Sequence, residues 1–515
     1  MVRDLTGVEL FRPSVHMVRM DTPLTPTIPF DNSYARLPER FFSRVNPTPV
    51  AAPQLIRVNE PLARDLGIDP AALASPDGVA MLAGNRIAEG SDPIAMAYAG
   101  HQFGNFVPQL GDGRAILIGE VLDTHGIRRD IHLKGAGRTP YSRMGDGRAA
   151  LGPVLREYIV SEAFAALGIP TTRALAAVTT GDWVLREEPL PGAVLARVAS
   201  SHIRVGTFQF FAARKDTEAI RTLADYAIAR HYPDLIDRPE KYRDFLSAVI
   251  ARQGELIAKW MYVGFIHGVM NTDNCAITGE TIDFGPCAFM DTYHPSTVFS
   301  SIDHAGRYAF ASQPAIANWN LVRFAETLLP ILGDTQEQAI AAAQERIDAY
   351  PAVFQAAITD GYAAKLGIEN KSSDDTTLLQ DFLTVMANGA ADYTLSFRTL
   401  SDAAEDPAKE AGLSALFSEA AGLDAWLLRW RQRLATDARA PRDIAAAMRA
   451  VNPVIIPRNH QVEAAIKAAV GSGDFAPFHR LVDELAKPFD DRPSIDDLKL
   501  PPKPDEIVRA TFCGT

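Results

Sequence analysis

Cysteine is scarce in this chain, with only three residues, Cys275, Cys287 and Cys513. No two of them have C-x-x-C spacing, and none form pairs at the spacing of a zinc finger. The odd number argues against a framework of disulfide bonds. We expect Cys275 and Cys287 to be small buried residues. For Cys513, close to the end, spacing alone leaves both an idle thiol and a redox-active thiol open.

Long apolar runs are absent as well. The sequence has no stretch of roughly 18 or more apolar residues, the length that a transmembrane helix requires. The first residues, MVRDLTGVELFRPS, lack the apolar stretch of a signal peptide. These absences predict a cytoplasmic protein with no membrane partner.

Positive charge is in deficit. The 51 Lys and Arg residues are outnumbered by 63 Asp and Glu residues, which gives a net charge of −12. Proteins that bind nucleic acid over a broad surface have the opposite balance, so we expect no nucleic-acid partner, although a local basic pocket is compatible with this charge. The 515 residues are enough for about two to four domain-sized units. We expect a monomer.

The order of secondary-structure patterns predicts a strand-rich segment followed by a helix-rich one. Residues 21–57 are rich in proline and are typical of an extended surface segment rather than a core element. AILIGEV, DIHLK, RALAAVTT and GAVLARVAS have the composition of strands. GPVLREYIVSEAFAALG has apolar residues at helical spacing, with Gly168 as its stop. After about residue 206 the patterns are mostly helical.

This order is that of a protein-kinase-like fold, an α+β architecture with a small strand-rich N-lobe and a large helical C-lobe. We expect an N-terminal extension at 1–95 that wraps the core and an N-lobe at 96–205. The C-lobe follows at 206–400, and a helical C-terminal extension with a flexible, Cys-containing tail occupies 401–515.

The motif G-D-G-R occurs twice, and the first copy opens a strand. Glycines allow a backbone to approach phosphate oxygens closely, and the arginine adds a cation beside the loop. Taken alone, such a glycine motif is more often a plain hairpin turn, so that alternative stays open. The residues of the two motifs that are candidates for contact with a nucleotide are Gly111, Gly113, Arg114, Asp146 and Gly147.

Lys134 ends the DIHLK strand, and Glu157 lies in the middle of the following helix. In a kinase-like site a lysine at this place holds phosphates and is oriented by a glutamate of the next helix. Taken alone, each residue is more often an ordinary surface charge. The order of glycine loop, lysine, glutamate, asparagine and D-F-G along one chain favours a nucleotide site.

Asn274 precedes Asp283, the first residue of D-F-G, as a metal-binding asparagine precedes this motif in kinases. Both side chains offer the oxygen ligands that Mg²⁺ or Mn²⁺ prefers. The alternative is a plain turn after a strand. The catalytic base of the pattern H-G-D-x-x-x-x-N is missing, because Val269 occupies its place, and Asp273 lies directly before Asn274 instead.

Arg197 and Arg204 lie where a kinase has the hinge that contacts adenine. Two guanidinium groups suit adenine poorly and suit phosphate well, because arginine binds phosphate in a bidentate manner. If both face the cleft, the nucleotide lies reversed, with its distal phosphates towards them and its α-phosphate over the metal. That pose predicts nucleotidyl transfer instead of phosphoryl transfer. The sequence leaves open that both arginines point to solvent.

Long stretches of the chain resemble the SelO family of protein adenylyltransferases, in a bacterial-type form without selenocysteine. They include AGHQFGNFVPQLGDGRA, LKGAGRTPYSRMGDGRA, GVMNTDN, TIDFGP, DHAGRYAF and NPVIIPRNHQVEAAI, and SYARLPERFF also fits. The resemblance implies a pseudokinase fold, an inverted ATP and transfer of AMP to protein hydroxyls. It implies that Asp273 is the proton acceptor, that Asn274 and Asp283 bind Mg²⁺, and that Glu157 pairs with Lys134. The ATP-binding residues that it implies are Gly111, Gly113, Arg114, Lys134, Asp146, Gly147, Arg197, Arg204 and Asp283.

One feature departs from the family. Some members have a Cys shortly before D-H-x-G-R-Y that can pair with the C-terminal Cys, but no Cys lies between Asp291 and Tyr308 here. The sequence therefore does not predict that intramolecular redox switch. A mixed disulfide between Cys513 and another protein stays open.

Three functions compete on the sequence. The first is AMP transfer from ATP to Ser, Thr or Tyr hydroxyls of target proteins. The second is an atypical kinase with Asp273 as its base, which the valine at 269 argues against. The third is a non-catalytic ATP-binding scaffold, which the metal-ligand pair Asn274 and Asp283 argues against. Mg²⁺ or Mn²⁺ is the expected cofactor and ATP the expected co-substrate.

Overall fold

The computed structural model describes residues 25–372 and 374–511. Cys513, and with it the expectation for a tail thiol, lies outside these residues. Most strands fall in the first 200 residues. The strands are β1 Phe42–Arg44, β2 Gln54–Val58, β3 Ile94–Met96, β4 Gly100–Gln102, β5 Asn105–Val107, β6 Ala115–Leu122, β7 Arg128–Lys134, β8 Ala149–Ala150, β9 Arg173–Leu185, β10 Pro189–Ala199, β11 Phe265–Ile266 and β12 Ala288–Phe289.

Eight of these strands form one antiparallel sheet with the order β1-β3-β6-β7-β10-β9-β2, and β8 pairs with β10 beside that path. A tight turn joins β6 to β7, where the Asp123 carboxylate accepts hydrogen bonds from the backbone N–H groups of His125 and Ile127. The four strands predicted from their residue patterns are confirmed as β6, β7, β9 and β10.

Helices dominate the chain after residue 200. They are α1 Glu60–Asp65, α2 Pro70–Ala74, α3 Pro76–Leu82, α4 Leu151–Ala166, α5 Val205–Ala212, α6 Thr217–His231, α7 Lys241–Tyr262, α8 Gln313–Leu332, α9 Gln336–Ile347, α10 Tyr350–Lys365, α11 Asp374–Asn388, α12 Tyr393–Glu405, α13 Glu410–Ser414, α14 Leu423–Leu434, α15 Pro441–Val451, α16 Asn459–Ser472, α17 Ala476–Leu485 and α18 Asp496–Lys499. The prediction of a mostly helical second part is confirmed. Within the described ranges no helix is both long and apolar enough to cross a membrane.

Helix α4 packs between the sheet and the C-terminal helices α16 and α17. It is apolar on most of its circumference, as expected for a helix covered on several sides. Its two charged residues in the middle, Arg156 and Glu157, are buried as well. Arg156 donates hydrogen bonds to the Cys287 carbonyl and to the Asn459 side chain, and this contact ties the C-terminal helices to the loop after D-F-G.

The proline-rich segment departs from its prediction. The expectation that residues 21–57 form a surface segment is wrong for its described part, because Tyr34, Phe41 and Phe42 are buried in the largest hydrophobic core. This part also supplies β1 and β2, the two edge strands of the sheet. Burial of aromatic side chains stabilises this arrangement despite the prolines, which lie outside β1 and β2. The domain boundary drawn at residue 95 falls inside β3.

The structure is therefore a mixed α and β fold, with one large sheet followed in the chain by many helices. Cys275 and Cys287 are buried, as predicted. The D-F-G loop and the short 3₁₀ helix Thr272–Asn274 connect the small strands β11 and β12. Asp273 and Asp283 of these two loops lie close to residues of the central strands β6, β7 and β10.

Candidate active site

A cleft of about 1000 Å³ opens between the sheet and the loops around β11 and β12. Ten of the predicted site residues line it, and the two others, Glu157 and Arg204, are buried behind this lining. The structure thus brings together residues that lie up to 172 positions apart in the sequence, from 111 to 283. The lining residues are Gly111, Gly113, Arg114, Lys134, Asp146, Gly147, Arg197, Asp273, Asn274 and Asp283.

Three cations surround the Asp283 carboxylate at the floor of the cleft. Lys134 Nζ lies 2.8 Å from Asp283 Oδ1 and 2.5 Å from Glu157 Oε2. Arg197 Nη1 lies 2.6 Å from the same Asp283 oxygen and 3.2 Å from Glu157 Oε1. The predicted Lys134–Glu157 pair is therefore present. The alternative that both are ordinary surface charges is wrong.

Arg204 completes this cation cluster from below. Its Nη1 donates to the Asp273 carbonyl at 2.9 Å and lies 3.4 Å from Asp283 Oδ2, and its guanidinium stacks 4.4 Å from the ring centre of Tyr98. Its Nη2 is buried and has no hydrogen-bond partner among the described residues. Only 3% of Arg197 and 1% of Arg204 is exposed, so the alternative that both point to solvent is wrong.

The backbone of Asp283 adopts a left-handed conformation, with φ of +62°. Such values are uncommon outside glycine and often mark functional sites. A tight turn accompanies it, in which the Gly285 N–H donates to the Asp283 carbonyl at 2.9 Å. Burial alone would raise the pKa of Asp283, but Lys134, Arg197 and Arg204 together hold that pKa well below its ordinary value. The three cations therefore favour the ionised form of Asp283.

Asp273 lies in different surroundings, on the 3₁₀ helix next to Asn274. One carboxylate oxygen, Oδ1, is buried without a hydrogen-bond partner in the described part of the chain, and Gln102 Nε2 lies 3.4 Å from the other. Burial raises the pKa of Asp273 to about 6, although the nearby Arg204 lowers it in part. A carboxylate with a pKa close to neutrality and an unused oxygen can accept a proton.

The β4–β5 hairpin covers Asp273, and sequence reasoning assigned it no role in the chemistry. The His101 N–H donates to Thr272 Oγ1 at 2.7 Å, and the Phe103 N–H donates to Asn271 Oδ1 at 3.0 Å. Gln102 and Phe103 line the cleft between these two anchors. A Cβ at Gly100 would lie 2.6 Å from Asp273 Oδ1. The sequence did contain an indication of this close approach, because glycines flank H-Q-F on both sides.

The glycine turns have a packing role of their own. Gly111 has φ of +89°, and a Cβ there would overlap the ring of Tyr141. Gly147 has φ of +70°, and a Cβ there would overlap the backbone of Gly137. The neighbouring Asp146 pairs with Arg186 at 3.0 Å at the mouth of the cleft. The two G-D-G-R turns therefore form one wall of the cleft. Contact between this wall and the phosphates of a nucleotide stays a prediction.

The predicted metal ligands have the right chemistry. Asn274 Nδ2 donates to the Val269 carbonyl at 2.9 Å, which orients the amide and leaves its oxygen for another ligand. On Asp283, Oδ1 is contacted by Lys134 and Arg197, whereas the long contact to Arg204 is the only one that Oδ2 makes with the described residues. No group of three or more His, Cys, Asp or Glu residues that could hold a metal occurs in the described ranges. The pair fits Mg²⁺ that completes its shell with phosphate oxygens and water.

Comparison with known proteins identifies the family. The profile of the family described as "Protein adenylyltransferase SelO" matches residues 25–486. The chain belongs to the SelO family. A protein of Rhodopseudomonas palustris (strain BisB5) named "Protein nucleotidyltransferase YdiU" is 62% identical over 492 residues, which cover 96% of this chain and all of that protein. A protein of the same name from Bradyrhizobium diazoefficiens is 60% identical over the same share of each chain. The resemblance seen in the sequence motifs is confirmed.

Proposed function

We propose that this SelO-family protein transfers AMP from ATP to Ser, Thr or Tyr hydroxyls of target proteins and releases pyrophosphate. The family description names protein adenylyl transfer, and the relatives' names state protein nucleotidyl transfer. The site supports this function through its geometry. It combines a cation cluster for phosphates, two oxygen ligands for Mg²⁺ or Mn²⁺ and one carboxylate suited to accept a proton.

The observation that carries the proposal is the burial of Arg197 at the inner end of the cleft, with Arg204 buried directly behind the lining. An adenine in that place would need apolar surroundings and backbone hydrogen-bond partners. Two buried guanidinium groups do not provide such surroundings. An unpaired, buried Arg204 Nη2 is costly unless an anionic ligand satisfies it. The reversed ATP puts its β- and γ-phosphates against these groups. Its α-phosphate then lies over Asn274 and Asp283.

The transfer step follows from this pose. A target hydroxyl attacks the α-phosphate, the bond between the α-phosphorus and the bridging oxygen breaks, and pyrophosphate leaves. Asp273, which lines the same cleft, takes the hydroxyl proton on its carboxylate. Lys134, Arg197 and Arg204 hold the charge of the departing pyrophosphate. Mg²⁺ held by Asn274 and Asp283 supplies further neutralisation of phosphate charge when bound.

The architecture fits a two-lobe, kinase-like arrangement, with the N-lobe at 96–205 and the C-lobe at 206–400. The residues before 96 add strands to the N-lobe sheet, and the segment 401–515 supports α4, which bears Glu157. In this arrangement Gly111, Gly113, Arg114, Asp146 and Gly147 contact the nucleotide from the wall of the cleft.

The decisive test compares label transfer to protein from ATP labelled at the α-phosphate and from ATP labelled at the γ-phosphate, with Asp283→Ala as the control. We expect label from the α-position only, and none with the variant. Label from the γ-position would identify a kinase that uses Asp273 as its base. Bound ATP without transfer of either label to any target, in lysates as well as to the protein itself, would favour the non-catalytic scaffold.

A further inference from the structure

His132 lies behind the cation cluster, on the same face of β7 as Lys134, because side chains two apart in a strand share a face. It is fully buried. Its neighbour across the ladder is Arg197, which lies directly opposite on β10. Sequence reasoning assigned it no function, and the transfer step described above makes no use of it.

Three side chains form a hydrogen-bonded chain from the glycine loop to Asp283. The Met96 N–H donates to Asp112 Oδ2 at 3.0 Å, and the same oxygen lies 3.2 Å from His132 Nε2. On the other side of the ring, Arg197 Nε donates to His132 Nδ1 at 3.1 Å. Arg197 Nη1 then reaches Asp283 and Glu157. Asp112 and Arg197 both line the cleft, whereas the histidine between them does not.

The direction of each hydrogen bond follows from the chemistry of arginine. An arginine Nε always carries a hydrogen and has no acceptor capacity, so His132 Nδ1 must present its lone pair. A neutral imidazole then has its hydrogen on Nε2, where Asp112 accepts it. Burial lowers the pKa of His132, and this also favours the neutral ring. The ring is therefore held in one tautomer by a carboxylate from the glycine loop.

The contact with His132 occupies one of the three nitrogens of the Arg197 guanidinium, and the others have different partners or none among the described residues. Nε is bound to His132, and Nη1 is bound to Asp283 and Glu157. In the described part of the chain, Nη2 has no hydrogen bond, and Arg197 lines the cleft. A guanidinium fixed at two of its nitrogens has lost its rotational freedom before a ligand arrives, and such preorganisation increases affinity.

We propose that His132 is a positioning residue that fixes the Arg197 guanidinium for the distal phosphates of ATP, with Asp112 setting the tautomer of the ring. This inference rests on the proposed role of Arg197. It adds a physical link between the glycine loop and the arginine, since Asp112 holds the ring that orients Arg197.

The test uses two substitutions of the same ring. In His132→Asn the amide oxygen lies near the place of Nδ1 and still accepts from Arg197, whereas His132→Gln reaches Asp112 and offers no acceptor at that place. Binding of ATP and of AMP to each folded variant is measured by titration calorimetry. We expect His132→Gln to weaken ATP binding about tenfold and AMP binding less than about twofold, and His132→Asn to stay within about threefold of the parent for both.

A purely structural histidine gives a different pattern. Both variants would then lose melting temperature and would change ATP and AMP binding alike, which would overturn the proposal. If glutamine prevents folding, His132→Leu fills the same volume without an acceptor and carries the same expectation. In the double variant with Arg197→Ala, the loss should not exceed that of Arg197→Ala alone. If Arg197→Ala itself leaves the preference for ATP over AMP unchanged, the assignment of Arg197 is at fault, and not only that of His132.

Discussion

Asp273 and Asp283 line the same cleft and lie in opposite electrostatic surroundings. Asp283 is contacted by three cations, whereas Asp273 is buried with one oxygen that has no partner among the described residues. The pKa of Asp283 is well below its ordinary value, and burial raises the pKa of Asp273 to about 6. These different neighbours suit the two aspartates to the two different tasks that we propose for them. A carboxylate that keeps its charge binds cations and metal, and one that changes charge near neutral pH transfers a proton.

The largest expected effect is on the charged partner. Asp283→Ala removes a proposed metal ligand and leaves Lys134, Arg197 and Arg204 without their shared anion. We expect the single-turnover rate of AMP transfer to fall by about 10³-fold or more. Asp283→Asn is the matched control, since it keeps the size of the side chain and loses the charge. A rate within tenfold of the parent for both variants would contradict the assigned role.

A smaller effect is expected at the proton acceptor. Asp273→Ala should reduce the single-turnover rate by about 10²-fold, because a general base contributes less than charge neutralisation in a loose phosphate-transfer reaction. ATP affinity should change little, since the side chain faces the attacking hydroxyl in the proposed pose. Losses that equal or exceed those of Asp283→Ala would reverse the ranking of the two aspartates.

The pH dependence sharpens the same comparison. Below pH 6 Asp273 is mostly protonated and cannot accept a proton, so the rate should fall as the pH drops through about 6 and level off above it. Asp283 stays ionised through this range and adds no limb. Single-turnover rates between pH 5 and 8 measure the curve, and Asp273→Asn should flatten it. If the rate of that variant still falls with the same midpoint near pH 6, the titration belongs to another group.

The effect of Arg197 should appear in binding. Arg197→Ala should weaken ATP binding about 30-fold and AMP binding only slightly, because the side chain is proposed to hold phosphates that AMP lacks. Calorimetric titration with both nucleotides measures the ratio. Arg197→Lys keeps the charge without the planar fork and should fall between the parent and the alanine variant. Equal weakening of ATP and AMP would count against the reversed nucleotide.

The smallest effect is expected at Gln102. Its side-chain amide donates to the ionised Asp273 and thereby lowers the pKa of that group. Gln102→Ala should move the acidic limb of the rate to higher pH by less than about one unit, with a few-fold loss at pH 6 and little loss at pH 8. A uniform loss at every pH would mean that the hairpin supports the loop without tuning the base.

The sequence predicted the charged part of the site more fully than its surroundings. Lys134, Glu157, Asn274 and Asp283 were grouped because kinase-like motifs follow a fixed order along the chain. The structure brings Lys134 into contact with Glu157 and Asp283, and Asn274 lines the same cleft. The β4–β5 hairpin was missed, since its contacts with Asn271 and Thr272 are tertiary and have no local pattern.

The proline-rich segment shows the same limit in the fold. Composition indicated that the backbone there is extended, but not which face would be buried, and Phe41 fills the core instead of facing solvent. His132 had a usable signal, because it precedes Lys134 by two residues on one strand face. That signal did not reveal its partner Arg197, which only the pairing of β7 with β10 brings opposite.

The most direct test is the structure of the protein with Mg²⁺ and a non-hydrolysable ATP analogue. We predict that the β- and γ-phosphates contact Arg197 and Arg204, that the α-phosphate lies over Asn274 and Asp283, and that the Asp273 carboxylate faces the α-phosphate. An adenine against the two arginines, with the γ-phosphate over Asn274 and Asp283, would contradict the reversed pose and identify the site as that of a kinase.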